Sequence, residues 1–468
     1  MVLSLCGCAS GASEEVFTSD AEVTTVPEVT TTVETTTEEV TTTTEATAVT
    51  TTTEATTEAT TTTVETTTVT TTTEATTTTA ATTTTAATTT TAATTTAATT
   101  ATTTAATTAA TTATTATVAE TKAHVDEITD IEPKSLIKAM GVGWNFGNSF
   151  DSQGSSETSW GNPKTTEAMI DTISDLGFTT IRIPVSWSYH CDDDYNIDEK
   201  WLARVQEVVD WALENDMYVI INSHHDNDVY DPSNHDQAVE YITKIWTQVA
   251  EYFKDYDEHL IFEPMNEPRL AGTTYEWWFD TTSSECKAAI QTIMDCNQAF
   301  VDVVRASGGN NATRYLMIST YAAKTDAACS SLFEMPDDTV SDRLLLTVHI
   351  YDPYNLCQND DMSYTDFDSS AKSSIDSVIR KLYKNYVSNG IYVIIGECGC
   401  INKDNDEDRY EWAKYLVSTA KKYNMMCIAW DNNYCDVGEE TFGIFNRRTL
   451  KVYDDSVEYY QGWIDGLG

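Results

Sequence analysis

Two glutamates follow apolar runs at positions where paired carboxyl groups could do acid, base and nucleophilic chemistry. Glu267 comes after the run at residues 260–262 and directly before Pro268, which ends regular structure. Glu397 comes after a second apolar run, at residues 391–395. Such a pair can hydrolyse a glycosidic bond with retention when the carboxyl groups are about 5–5.5 Å apart, or with inversion at about 6.5–9.5 Å. The sequence leaves this separation open.

Alternating strand-like and helix-like stretches must position these glutamates. The strand-like stretches are continuous apolar runs, which is typical of parallel strands covered by helices on the outside. Eight are predicted, at 141–148, 180–185, 217–222, 260–265, 315–320, 344–349, 391–396 and 426–430, each followed by a helical pattern. The pattern predicts an α/β fold, the (β/α)8 TIM barrel.

Composition divides the chain of 468 residues into three parts. Residues 1–20 form an N-terminal leader-like segment. Residues 21–123 are almost wholly Thr and Ala, too poor in large apolar residues to build a core, and are predicted to be a long disordered linker that acts as a tether. Residues 124–468 are enough for one large catalytic domain.

The formal net charge of -46 argues against nucleic acid and anionic lipid as partners, because both would repel the chain. No apolar run is long enough to span a membrane. The first eight residues resemble the end of a bacterial lipoprotein signal, in which Leu5-Cys6-Gly7 would precede a lipidated Cys8. We therefore expect an extracellular, monomeric protein, anchored at the cell surface if Cys8 carries lipid.

Polar side chains stand at the ends of the predicted strands, which face one cleft in such a barrel. A barrel without a function would have little reason to desolvate them there. The predicted substrate-binding residues are Asn145, Arg182, His224, His225, Asn266, His349, Tyr351 and Trp430.

The roles of the two glutamates can be argued from their neighbours. Glu267 should keep a proton near neutral pH, in a dry setting that faces a carboxylate. Glu397 should stay ionised, with Arg182 and Tyr351 as the groups that favour its charged form. Trp430 offers a flat face to a sugar ring. Further stacking candidates, for each of which packing in the core or rim is the alternative, are Trp144, Trp160, Trp187, Tyr189, Trp277 and Trp278.

Three groups of residues have some features of a metal site, but none is predicted to bind a metal. His224 and His225 are adjacent, so their side chains should point opposite ways along a strand. Cys398 and Cys400 lack a second pair of ligands. The acidic run 404–408 lacks the glycine of a calcium loop. We expect no cofactor.

With these residues collected, the sequence resembles glycoside hydrolase family 5, the retaining cellulase family. The matching motifs are GWNFGN at 143–148, IRIP at 181–184, NSHHD at 222–226, FEPMNEP at 262–268, HIY at 349–351, GE at 396–397 and AW at 429–430. The resemblance implies that Glu267 is the acid/base and Glu397 the nucleophile. The opening from Trp144 to Pro163 is similar to subfamily 4, which implies an endo-β-1,4-glucanase.

The predicted function is therefore retaining hydrolysis of internal bonds in β-glucans such as cellulose, lichenan or xyloglucan. Two alternatives stay open. The same scaffold could serve as an endo-xyloglucanase, mannanase or xylanase. The second alternative is a non-catalytic polysaccharide-binding surface protein. The presence of both carboxyl groups argues against it, because such a protein would be free to lose them.

Overall fold

The computed structural model describes residues 65–66, 69–70, 124–125 and 127–468. The chain divides into two units, Met1–Ala116 and Thr117–Gly468. In the first, Glu65–Thr66 pairs in antiparallel fashion with Val69–Thr70. The rest of the predicted linker and the predicted lipid anchor at Cys8 lie outside the described residues.

In the described part of the second unit, eight parallel strands close into a barrel, as predicted. Each strand pairs with the next along the chain, and the last pairs with the first. The strands are β1 Val142–Phe146, β2 Thr180–Ile183, β3 Tyr218–Asn222, β4 Leu260–Glu263, β5 Leu316–Ile318, β6 Leu344–Ile350, β7 Val393–Cys398 and β8 Met426–Asp431.

The described helices pack against the barrel with apolar residues buried. They are α1 Pro133–Met140, α2 Glu167–Asp175, α3 Glu199–Leu213, α4 His235–Tyr252, α5 Ser284–Ala306, α6 Thr325–Ala328, α7 Tyr354–Cys357, α8 Ser369–Asn385, α9 Asp406–Lys422 and α10 Val457–Asp465. Side-chain caps fix several starts: Asp198 accepts hydrogen bonds from the backbone N–H groups of Lys200 and Trp201 at the start of α3. None of the described helices has the length and hydropathy that a membrane crossing requires.

Helix α1 was not predicted, although the apolar residues among its eight recur at helical spacing. Its Leu136, Ile137 and Met140 are buried in a cluster that includes Ile220 and Ile261. This cluster gathers residues of α1 and of the barrel strands, so α1 covers one end of the barrel. A short hairpin near the C-terminus, β9 Phe445–Asn446 with β10 Lys451–Val452, was also not predicted.

Candidate active site

The carboxyl ends of the barrel strands bring the predicted residues together. Asn145 of β1 is the register partner of Arg182 on β2 and of Trp430 on β8. His349 of β6 is the partner of Glu397 on β7, directly after a register shift. Parallel pairing therefore sets residues that are far apart in sequence side by side at one end of the barrel.

Glu397 is held by two donors. Arg182 donates from Nη1 to Oε1 at 2.8 Å, and Tyr351 donates its hydroxyl to Oε2 at 3.1 Å. These are the two partners expected from the sequence. Hydrogen bonds to the charged form of a carboxylate favour that form, so both contacts support an ionised Glu397 that is fixed in orientation.

Glu267 lies in the loop after β4 and faces Glu397 across the cleft. Its Oε1 is 2.7 Å from Nδ1 of His349, which is also 3.5 Å from Oε2 of Glu397. A carboxylate oxygen of each glutamate and a ring nitrogen of His349 all lie within 4.8 Å of one another. This separation is close to that of retaining hydrolysis and well short of the 6.5–9.5 Å or so that inversion needs.

The setting expected for Glu267 differs in this structure. The Glu267 side chain is 16% exposed and that of Glu397 only 7%, so Glu267 is not the drier of the two. Burial favours the neutral form of Glu267, but the hydrogen bond and charge of His349 outweigh it and lower its pKa. Burial raises the pKa of Glu397 against the opposing charges of His349 and Arg182.

His349 explains the difference. Burial alone would lower its pKa, but the charge of Glu397 and the hydrogen bond and charge of Glu267 raise it. The proton that was expected on Glu267 is therefore shared with the His349 ring, across a 2.7 Å hydrogen bond. The two groups share one proton next to the cleft and titrate as a pair.

A buried polar network supports Glu397 from below. Arg182 donates from Nε to Glu263 at 2.7 Å, from Nη1 to Asn145 at 2.7 Å and from Nη2 to Asn266 at 2.7 Å. Asn145 and Arg182 are fully buried, and their contacts are to this network rather than to the cleft opening. Glu263 was missed in the sequence, although its position as the last residue of β4 was a signal.

The two adjacent histidines differ in their surroundings. His224 is buried, with Nε2 3.9 Å from Oε1 of Glu397, and its ring stacks on Trp430 at 5.7 Å between centroids and 3° between planes. Burial and nearby cations lower its pKa well below the usual value, so it is neutral. The His225 side chain is 30% exposed, and its ring lies 5.3 Å from that of Trp160.

Two charged residues near Glu267 were also missed. Arg269 donates from Nη1 to the Glu267 backbone oxygen at 2.9 Å, and its guanidinium lies 4.0 Å from the ring centroid of Trp277. Glu440 has its pKa raised by burial and by the charge of Glu397. Neither stands at a strand end, so reading strand ends could not find them.

Of the further stacking candidates, two belong to the core. Trp144 and Trp187 are fully buried, so for these two the alternative of packing in the core holds. Tyr189, Trp277 and Trp278 are exposed and Trp160 is half-buried, so these four have surface that a sugar ring can contact.

Two groups of side chains in the cleft have the composition of metal ligands: Glu267, His349 and Glu397, and Asp151, His224 and His225. The first is already engaged in hydrogen bonds within the catalytic pair. Cys398 and Cys400 do not converge, because their thiols face the backbone oxygens of Ile428 and Leu356. Metal-independent chemistry stays a prediction.

Comparison with known proteins agrees with this geometry. Residues 142–436 match the family model described as Cellulase (glycosyl hydrolase family 5). Endoglucanase A of Ruminococcus albus is 43% identical over 347 residues, which are 72% of this chain and 93% of that protein.

Solved structures show the same likeness. A GH5-4 broad specificity endoglucanase from Ruminococcus champanellensis with bound cellotriose is 41% identical, with a TM-score of 0.68 over 72% of this chain and 99% of that one. A mutant of the Glycoside Hydrolase 5 lichenase from Caldicellulosiruptor sp. F32, in complex with cellotetraose, is 40% identical, with a TM-score of 0.69 over 75% and 99%.

Proposed function

Since the chain belongs to the cellulase family, glycosyl hydrolase family 5, we propose that it is a retaining endo-β-1,4-glucanase. Its substrates are the internal bonds of β-glucans such as cellulose, lichenan or xyloglucan. The observation that carries this proposal is the approach of the Glu267 and Glu397 carboxylates to within 4.8 Å of each other. At that separation one group can attack the sugar while the other protonates the departing oxygen.

In the first step Glu397 attacks the anomeric carbon, and the bond from that carbon to the leaving oxygen breaks. Arg182 and Tyr351 hold the attacking carboxylate in orientation. Glu267 delivers to the leaving oxygen the proton that it shares with His349. Attack by a positioned carboxylate replaces one difficult displacement by two easier ones.

In the second step water attacks the same carbon and releases Glu397. The ester form of Glu397 carries no negative charge, so the charge that raised the pKa of His349 is gone. The pair of Glu267 and His349 gave up its shared proton in the first step, and its lowered pKa keeps it deprotonated until it takes the proton of the attacking water. The cycle ends with the β-configuration preserved and Glu397 ionised.

The substrate class rests on the site and on the relatives. Neutral sugars are not repelled by a chain of net charge -46. Trp430, the exposed Trp277 and Trp278, and the half-buried Trp160 offer flat faces to pyranose rings. The structural relatives include GH5-4 broad specificity endoglucanases and a lichenase, which favours β-glucans over mannan as the substrate.

The test compares wild type with Glu397→Ala in a reducing-sugar assay on mixed-linkage β-glucan, carboxymethylcellulose, xyloglucan, xylan and mannan. We expect wild type to cleave the β-glucans and Glu397→Ala to lose turnover while circular dichroism shows an intact fold. Glu157→Ala is the matched control. Glu157 and Glu397 are both 5% exposed and paired with an arginine, but Glu157 pairs with Arg204 outside the cleft.

Two outcomes would overturn the assignment. Wild-type turnover in Glu397→Ala would remove Glu397 from the chemistry, and binding of glucan without new reducing ends would favour the non-catalytic surface protein. Cleavage of mannan or xylan alone would keep the mechanism and replace the substrate.

The cellular location is a further part of the proposal. The pattern Leu5-Cys6-Gly7 before Cys8 supports an extracellular protein that is held at the cell surface by lipid on Cys8. The Thr-rich stretch would then set the catalytic domain at a distance from its anchor. Mass spectrometry of the N-terminal peptide from the native cells should find Cys8 with a lipid adduct; a mature N-terminus without lipid would contradict the anchor.

A further inference from the structure

A second cluster of ionisable side chains lies away from the cleft. His124, Asp257 and His259 place one ligand-capable atom each within 4.8 Å of one another. Asp257 and His259 precede β4, which begins at Leu260, so they lie at the amino ends of the barrel strands. The catalytic pair is at the carboxyl ends, and the proposed hydrolysis uses none of these three residues.

The spacing of the cluster is close to that of a tetrahedral metal site. Nδ1 of His124 is 2.8 Å from Oδ2 of Asp257, and Nδ1 of His259 is 3.1 Å from Oδ1 of the same carboxylate. Ligands at about 2.0–2.2 Å from Zn²⁺ in tetrahedral geometry stand roughly 3.3–3.5 Å apart. The two rings contact different oxygens of Asp257 and the three ligand atoms lie within 4.8 Å of one another, so small side-chain rotations would bring them to these separations.

Both imidazole rings are held in orientation by other side chains. Nε2 of His124 lies 3.3 Å from Oδ1 of Asp216, an exposed carboxylate that can accept the Nε2 proton when Nδ1 binds an ion. The His259 ring stacks on Tyr218, with centroids 4.4 Å apart and planes at 24°. In zinc sites, the second ring nitrogen of a ligating histidine commonly donates a hydrogen bond to a carboxylate.

The charges around the cluster favour a cation. The His124 and His259 ring centroids are 4.2 Å apart, so both rings can reach one ion. Asp216 and Asp257 contribute negative charge. The buried Arg314 faces the backbone oxygen of Asp257 at 2.8 Å rather than its carboxylate.

We propose that His124, Asp257 and His259 bind one Zn²⁺, with water as the fourth ligand. Imidazole nitrogen and carboxylate oxygen are ligands that zinc takes in tetrahedral sites. The ion would fasten the segment before α1, where the Thr-rich part of the sequence ends, to the base of the barrel. The Asp257 backbone N–H already donates to the His124 backbone oxygen at 2.9 Å at this junction.

The test titrates Zn²⁺ into the full-length chain after dialysis against a chelator. Calorimetry and the change in Tm report binding. We expect one ion per chain, a Tm that rises with zinc concentration and unchanged hydrolysis. Co²⁺ in place of zinc should give the visible absorption of a tetrahedral site. His124→Asn and His259→Asn should each weaken binding at least about 100-fold, and Asp216→Ala by about tenfold.

His235→Asn is the matched control, because His235 also bridges two carboxylates, those of Asp236 and Asp295, but on the exposed surface of α4. It should bind zinc like wild type. Failure of wild type to bind zinc, or wild-type binding in both His124→Asn and His259→Asn, would overturn the proposal and leave a cluster of ion pairs. Zinc that still binds to His259→Asn and stops hydrolysis would belong to the cleft, which also contradicts it.

Discussion

Nη1 of Arg182 lies 2.8 Å from Oε1 of Glu397, and the arginine side chain is fully buried. The same guanidinium binds Glu263 through Nε at 2.7 Å. One cation thus serves two carboxylates in a site with little water, where its field acts strongly. We conclude that Arg182 sets both the position and the charge of Glu397.

Arg182→Met removes this cation. We expect kcat to fall by about 100-fold or more, as for the loss of a preorganised electrostatic contact, and the free energy of unfolding to fall by about 3–5 kcal/mol because Glu263 is left buried and unpaired. Steady-state kinetics and urea unfolding measure the two effects.

Arg447→Met is the control for this change. It breaks another fully buried ion pair, to Asp431 at 2.8 Å, and Arg447 has no hydrogen bond or ion pair to either catalytic glutamate. We expect a similar loss of stability with a much smaller loss of kcat. Equal losses of kcat in the two variants would contradict a specific role for Arg182.

His349→Asn tests the shared proton. In the wild type the basic limb of the kcat/KM profile should reflect loss of a proton from the pair of His349 and Glu267, whose imidazole pKa is raised. The variant keeps only a carboxyl group, which ordinarily loses its proton at a lower pH than an imidazolium does. The basic limb should therefore move to lower pH. An unchanged profile would contradict the shared proton, and the exposed His235→Asn should leave it unchanged.

His349 also determines how the free energy of unfolding changes with pH. The pKa of His349 is raised in the folded protein. Its protonated ring therefore contributes fully to the free energy of unfolding below the pKa of an unfolded histidine, about 6.5. That contribution is lost as the pH rises through the pKa of His349 in the folded protein. Urea unfolding at about pH 5.5 and at two units higher should show the wild type losing more stability than His349→Asn. Parallel losses in the two proteins would refute this.

Gly147→Ala tests the placement of Trp430. A Cβ at Gly147 would lie 2.7 Å from the Trp430 ring and 2.9 Å from the Asp431 backbone oxygen, so the ring or the loop must move. We expect KM to rise by a factor of about 2–10, which corresponds to the loss of one aromatic contact worth about 0.5–1.5 kcal/mol. Trp430→Ala should raise KM at least as much. A Gly147→Ala variant with wild-type KM would show that Trp430 does not bind sugar.

The sequence predicted the barrel because its strands are continuous apolar runs that alternate with helical patterns. It also predicted which residues meet, since parallel strands direct their carboxyl ends to one face. It could not predict that Glu267 shares its proton with His349, because that depends on a 2.7 Å contact between side chains that are 82 positions apart. Helix α1 was missed for a related reason: its burial depends on the closed barrel that it covers.

The stereochemistry of the first product tests the pairing of Glu267 and Glu397 most directly. Proton NMR during the early hydrolysis of a soluble β-glucan, before mutarotation, identifies the anomer that is released. Carboxylates within 4.8 Å of each other predict the β-anomer as the first product. Appearance of the α-anomer first would mean inversion, and would contradict Glu397 as the nucleophile.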